Sequence, residues 1–163
     1  PEARVDYVAA MPAPRPRPLR LNLSHVPLQR RSGEAPPAVI AQAARHAQHC
    51  TLALDFGAQG LLPRWGVELF LAPDSGAALW HPLFDTLAAA GLAQRGKLQA
   101  LLGGPGRRRR ADAPAFGAFL GLGQFDARSL SHVKLVVDAG GAVTAKAYLA
   151  GMRGWRPLAG SSA

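Results

Sequence analysis

The chain has 163 residues, 48% of them hydrophobic, which is enough for one domain with a real core and tails. One cysteine excludes a disulfide framework or a cysteine-rich zinc module, and the lack of any eighteen-residue apolar run excludes a spanning helix. The net charge of +9 comes almost wholly from arginine, the lysines being Lys97, Lys134 and Lys146, and with abundant Ala, Gly and Pro it follows a GC-rich composition as readily as a nucleic-acid surface.

Residues 1–18 read as an extended Pro/Arg-rich leader, because PAPRPRP lacks amide donors at alternate positions and favours polyproline II. Leu19 to Ser24 alternates apolar and polar side chains, as a half-buried strand does. Residues 25–37 form a loop, and Pro36 and Pro37 suit the entry of an Ala-rich helix from Ala38 to His49. Cys50 to Phe56 and Trp65 to Ala72 are the two central strands. Leu52, Leu54 and Phe56 share one face, as do Val67, Leu69 and Leu71, and AQGLLPR joins the two segments. Cys50, at a buried strand start, reads as a small core residue.

A turn at PDSG leads to a second helix starting at His81 and Pro82, with Leu83, Phe84, Leu87 and Ala88 as its stripe and Gly91 as its cap. Gln94 to Leu102 is a short third helix, and residues 103–128 form an irregular loop containing GRRRR and a Gly-rich apolar run. Its glycines do not follow the dinucleotide-binding spacing. Val133 to Asp138 alternates again, AGGA turns the chain, and Thr144, Lys146 and Tyr148 share one face of the return strand. Residues 151–163 are a tail that docks through Trp155.

This order predicts an α/β (α+β) two-layer sandwich, related to the split βαβ, ferredoxin-like pattern. Its sheet has four or five mostly antiparallel strands with two or three helices on one face, and a single domain spans residues 19–150. The other face carries Arg20, Asn22, Asp55, Glu68, Lys134, Asp138, Lys146 and Tyr148. As a solvated surface its opposite charges would pair across strands, each pair contributing roughly 0.2–1 kcal/mol. As a site, the open face or its edge strand docks an extended peptide or protein partner.

The remaining chemistry is thin. Asp55 and Glu68 form a candidate acid–base pair, but two lysines stand ready to neutralise them. His46 and His49 sit three apart with no third ligand in view, so no metal is assigned and no cofactor. Ser129 and Ser131 lie near His132 without a nucleophile elbow, so no catalytic residue is assigned. Only Phe70 and Tyr148 offer stacking for a sheet-type RNA platform. With no secretory signal visible, the expected location is the cytoplasm.

The blocks PLRLNLSHVP, LALDFGAQGLLPRWGVELFL, and SHVKLVV followed by AKAYLAG resemble a family of small bacterial α/β proteins. That family is associated with gene clusters for ribosomally made, modified peptides. The resemblance covers about Pro16 to Ala150, departs at Gln29 to Pro37, and implies an accessory protein without transferable catalytic residues. VTAKAYLAG also resembles strand segments of aromatic prenyltransferases, through Lys146 and Tyr148.

The leading expectation is therefore a non-catalytic accessory subunit that binds a peptide or protein through its polar face and basic loops. The alternatives are a small enzyme or enzyme subunit acting on a phosphorylated or prenyl-diphosphate substrate, and a nucleic-acid binder using Arg15, Arg17, Arg107, Arg108, Arg109 and Arg110. A concave pocket gathering the lysines would favour the enzyme, and a flat face would oppose it.

Overall fold

A computed structural model of the chain describes residues 4–9, 19–24, 36–71, 77–103, 106–109 and 122–157. These hold β1 (Arg4–Ala9), β2 (Leu19–Ser24), α1 (Ala38–Ala44), β3 (His49–Gly57), β4 (Gly60–Phe70), α2 (Ala77–Ala89), α3 (Arg95–Gly103), β5 (Gly106–Arg109), β6 (Leu122–Val137) and β7 (Val143–Pro157). The expected two-layer α/β sandwich is what forms: an antiparallel sheet with helices packed on one face.

Among the described residues the sheet has seven strands. From β1 to β4 and on through β6 to β7 each strand lies beside the next, while β5 shares with β4 the edge of β6 that β7 leaves free. The order is a meander, without the interleaved strands of a split βαβ unit. The connection through α1 brings β3 back beside β2 and antiparallel to it, so no strand is left between them.

Alternation decides which side is core. Register places Leu52 opposite Val67 and Val67 opposite Leu135, so one apolar row crosses β3, β4 and β6. Leu69, Val133 and Val137 share that face, and Ile40 and Ala43 of α1, Leu83, Phe84 and Leu87 of α2 and Leu98 of α3 close over it. Burial of each large aliphatic side chain contributes about 1.5–3 kcal/mol. Gly91, with φ 70°, ends the turn after α2, and Leu92 N donates back to Leu87 O at 2.9 Å, as the sequence led one to expect.

Several element limits differ from the sequence reading. α1 stops at Ala44, and Gln48 N donates to Phe70 O at 2.8 Å, so the chain has joined the sheet where a helix was expected. α2 starts at Ala77, leaving Pro82 inside it instead of at its entry. The leader contains β1, GRRRR contains β5, and β6 and β7 run far into the expected loop and tail. Ladder hydrogen bonds need no particular side chain, so Gly- and Ala-rich stretches joined the sheet without alternation to announce it. Asp138, expected on the polar face, instead caps the hairpin turn: its Oδ1 accepts from the amides of Gly140 and Ala142, each at 2.9 Å. Among the described residues, no helix is long and apolar enough to cross a membrane.

Gly66 governs how closely β4 and β6 approach. A Cβ there would lie 3.0 Å from Leu135 O and 3.1 Å from Lys134 Cε. Gly66→Val is expected to destabilise the fold by about 1–3 kcal/mol through overpacking, read as a lowered denaturant midpoint at unchanged m-value.

Candidate functional site: the concave polar face

The side of the sheet away from the helices carries Arg20 and Asn22 of β2, Thr51, Ala53 and Asp55 of β3, and Arg64, Gly66, Glu68 and Phe70 of β4. It continues through His132, Lys134 and Val136 of β6 to Thr144, Lys146 and Tyr148 of β7. Of the eight side chains assigned to this face from the sequence, seven, Arg20, Asn22, Asp55, Glu68, Lys134, Lys146 and Tyr148, lie on it, Asp138 being the exception, and Lys134 and Lys146 stand directly opposite one another.

The face is not open. Asn22, Asp55, Glu68 and Lys134 are only 0, 6, 5 and 5% exposed, whereas Tyr148 is 40% exposed. A cavity of about 40 Å³ is bounded by Arg20, Asp55, Arg64, Lys134, Lys146 and Tyr148, which come from five successive neighbouring strands. In a flat sheet β2 and β7 would stand four spacings apart, roughly 19 Å at about 4.8 Å each. The long side chains of Arg20, Arg64, Lys146 and Tyr148 reach across this span to line one polar recess. Register shifts at Val5/Tyr7, Leu54/Phe56 and Leu130/His132 supply local bends of the kind that raise twist. The open docking surface expected from the sequence is corrected to a concavity.

Its charges form a definite pattern. Arg20 Nε and Nη2 donate to the two carboxylate oxygens of Asp55 at 2.6 and 2.8 Å, a bidentate pair. The guanidinium hydrogen bond holds the Asp55 carboxyl below its usual range, against the burial that would raise it, and Asp55 in turn raises Arg20. Lys134 Nζ donates to Glu68 Oε1 at 2.7 Å with both side chains buried. The carboxylates of Asp55 and Glu68 are thus each engaged by a cation. Arg64 and Lys146 remain, with no ion pair among the described residues, so the face holds four cations against two anions. Asn22 adds a buried amide whose Oδ1 and Nδ2 have no hydrogen-bond partner. Its cross-strand neighbour Ala53 lines the cavity.

One row along, His49, Phe70, His132 and Tyr148 stand opposite each other across β3, β4, β6 and β7. Their rings are 4.5, 4.9 and 4.4 Å apart in turn, a ladder of offset contacts each worth about 0.5–1.5 kcal/mol. Burial lowers the pKa of His132, and Ser131 Oγ lies 3.0 Å from its Nδ1. No carboxylate hydrogen-bonds to that imidazole among the described residues, so the pair lacks the third member of a triad.

His46 does not share a helix with His49; its Nε2 meets Thr86 Oγ1 at 3.2 Å, tying the turn after α1 to α2. No group of three or more potential metal ligands occurs among the described residues. Cys50 is half-buried on the core side, where burial pushes its thiol pKa up. Arg15, Arg17 and Arg110 lie outside the described residues, and Arg107, Arg108 and Arg109 lie on β5 opposite Ala127, Asp126 and Phe125. Arg64 and the ring ladder were missed in the sequence. Extending the parity of Glu68 back through Gly66 to position 64 would have found the arginine, but Pro63 spoke for a loop.

No family model matches the chain, and neither a curated protein nor a solved structure does.

Two outcomes follow from these charges. Glu68→Gln leaves the Lys134 ammonium buried without its anion and is expected to cost about 3–5 kcal/mol, whereas the double change Glu68→Leu with Lys134→Met should be near neutral or stabilising, measured by chemical denaturation. The His132 pKa is lowered in the fold, so below the unfolded value of about 6.5 the unfolded chain binds a proton that the folded one refuses. Stability should therefore fall as pH drops through that window, and His132→Phe should flatten this part of the pH–stability curve.

Proposed function

We propose that the concave face holds the phosphate or diphosphate head of a small substrate, making the protein an enzyme or enzyme subunit that acts on a phosphorylated or prenyl-diphosphate compound. The observation carrying this reading is the charge pattern around the cavity: two cations are neutralised by buried carboxylates, while Arg64 and Lys146 have no ion pair among the described residues and line the cavity with Tyr148. Arg64 offers a bidentate fork to phosphate oxygens, Lys146 a mobile ammonium, and Tyr148 a further hydroxyl donor.

Size supports a head group and not a whole substrate. A cavity of about 40 Å³ has room for roughly three waters, near the scale of one phosphoryl group. The rest of such a molecule would leave past the half-exposed Tyr148 and the ring ladder. If the diphosphate departs as a leaving group, the two free cations neutralise the charge that builds on its bridging oxygen.

The accessory-subunit reading keeps one specific support, the exposed outer strand β7, along which Tyr148, Leu149, Met152 and Trp155 are all more than a third exposed. It calls for a protein partner at the sheet edge rather than on its polar face.

Calorimetric titration with inorganic pyrophosphate tests the first reading. Binding is expected, weakened about tenfold by Lys146→Ala or Arg64→Ala, since a hydrogen bond to a charged group contributes about 1.5–3 kcal/mol. Lys97→Ala, in α3 on the helical side, should change nothing. Equal affinity in all four proteins, or no binding at millimolar pyrophosphate, would remove the cavity from consideration.

A further inference from the structure

The outer edge of β7 is the largest unexplained feature of the molecule. The strand runs fifteen residues, Val143–Pro157, and pairs along one side with β6. Eight successive residues, 146–153, are exposed, and four of the seven large hydrophobic side chains found exposed, Tyr148, Leu149, Met152 and Trp155, lie on this strand. No strand among the described residues pairs with its far side. A long edge with unpaired amides and carbonyls and apolar side chains is a template for another strand.

We propose that this edge pairs with the same edge of a second copy, antiparallel and centred on Ala150, to form a two-fold dimer with a continuous sheet. Symmetry narrows the register. Two antiparallel edges related by a two-fold axis must have that axis perpendicular to the sheet, so each face continues into the same face of the partner copy. Facing residues must then share parity, and their numbers must sum to an even value. Centring on Ala150, the midpoint of Val143–Pro157, uses the whole strand.

That register also suits the side chains. Tyr148 faces Met152 of the other copy, a favourable sulfur–aromatic pair, and Leu149 faces Gly151, which leaves room for the two leucines to meet diagonally across the axis. The cations avoid one another: Lys146 faces Gly154 and Arg153 faces Ala147. Shifting the centre by one residue to Gly151 would instead set Lys146 opposite Arg156, two like charges directly across the ladder. Arg153 already has an anion within its own chain, its Nε donating to Asp126 Oδ1 at 3.0 Å.

The test is sedimentation or light scattering of the 163-residue chain at micromolar concentrations. A dimer is expected. Ala150 is exposed, so Ala150→Lys should leave the monomer folded, judged by an unchanged circular dichroism spectrum, yet shift it to monomer because two lysines would meet on the axis. Ala150→Glu should do the same, and an equimolar mixture of the two variants should recover the dimer. A monomeric parent chain, an Ala150→Lys variant that dimerises as well as the parent, or a mixture that stays monomeric would each overturn the proposal. Arg64→Ala should leave the dimer intact, which separates this result from any result on pyrophosphate.

Discussion

The buried pair between Glu68 of β4 and Lys134 of β6 is the constraint from which the arrangement of the sheet follows. Both charges are almost fully removed from water, and they meet at 2.7 Å between directly opposite positions of adjacent strands. Removing two ions from solvent costs several kcal/mol each, and their attraction repays this only in good geometry. Such a pair is a poor source of stability but a strong selector of register. A slip of one residue would carry Lys134 into the face occupied by Val133 and Leu135, and every apolar side chain of β6 to the wrong side. The Lys134 stem passes over Gly66, so the pair also requires a residue without Cβ at that point.

Register turns this sheet face into a site. Side chains from β2, β3, β4, β6 and β7 bound one cavity because alternation puts them all on the polar side. The paired cations, Arg20 and Lys134, line the cavity with Asp55, and Lys134, held by Glu68, is the more deeply buried of the two. Arg64 and Lys146 are exposed, with no ion pair among the described residues. The order is what electrostatics requires: a buried charge must have its partner within the protein, while a charge near water can stay available for a ligand. Asn22 is the exception, a fully buried amide with both polar atoms unpaired, and such groups cost about 1–3 kcal/mol when they stay so.

The alternation of Leu19 to Ser24, Cys50 to Phe56, Trp65 to Phe70 and Val133 to Tyr148 made the faces readable from sequence, and every polar side chain placed by parity but Asp138 stands where parity put it. Asp138 fails because it falls beyond the last paired residue and serves the turn. Strand length was not readable where glycines, alanines and serines interrupt any apolar–polar alternation, as in residues 122–131 and 150–157. β1 was within reach: RVDYVA sets Val5, Tyr7 and Ala9 against Arg4 and Asp6, and only the proline-rich residues after it hid the pattern. Curvature was beyond any local reading. It depends on where two strands fall out of step, and a sequence window of one strand contains no information about its partner.

The sheet thus has a polar recess on one side and an apolar edge at its end. Around the recess Ala53, Gly66 and Val136 form one row, charged side chains stand beside it, and the rings of His49, Phe70, His132 and Tyr148 form another row on the same face. Closing such a sheet into a barrel would require β7 to reach β1, which would satisfy both edges at once. The cavity is instead bounded by β2 through β7, and β7 keeps eight exposed residues in succession. The free edge of β7 can hydrogen-bond to water or to another strand, and the apolar side chains along it favour the second. The proposed pairing of two copies would satisfy that edge, whereas the buried charges of the polar face are satisfied within the chain.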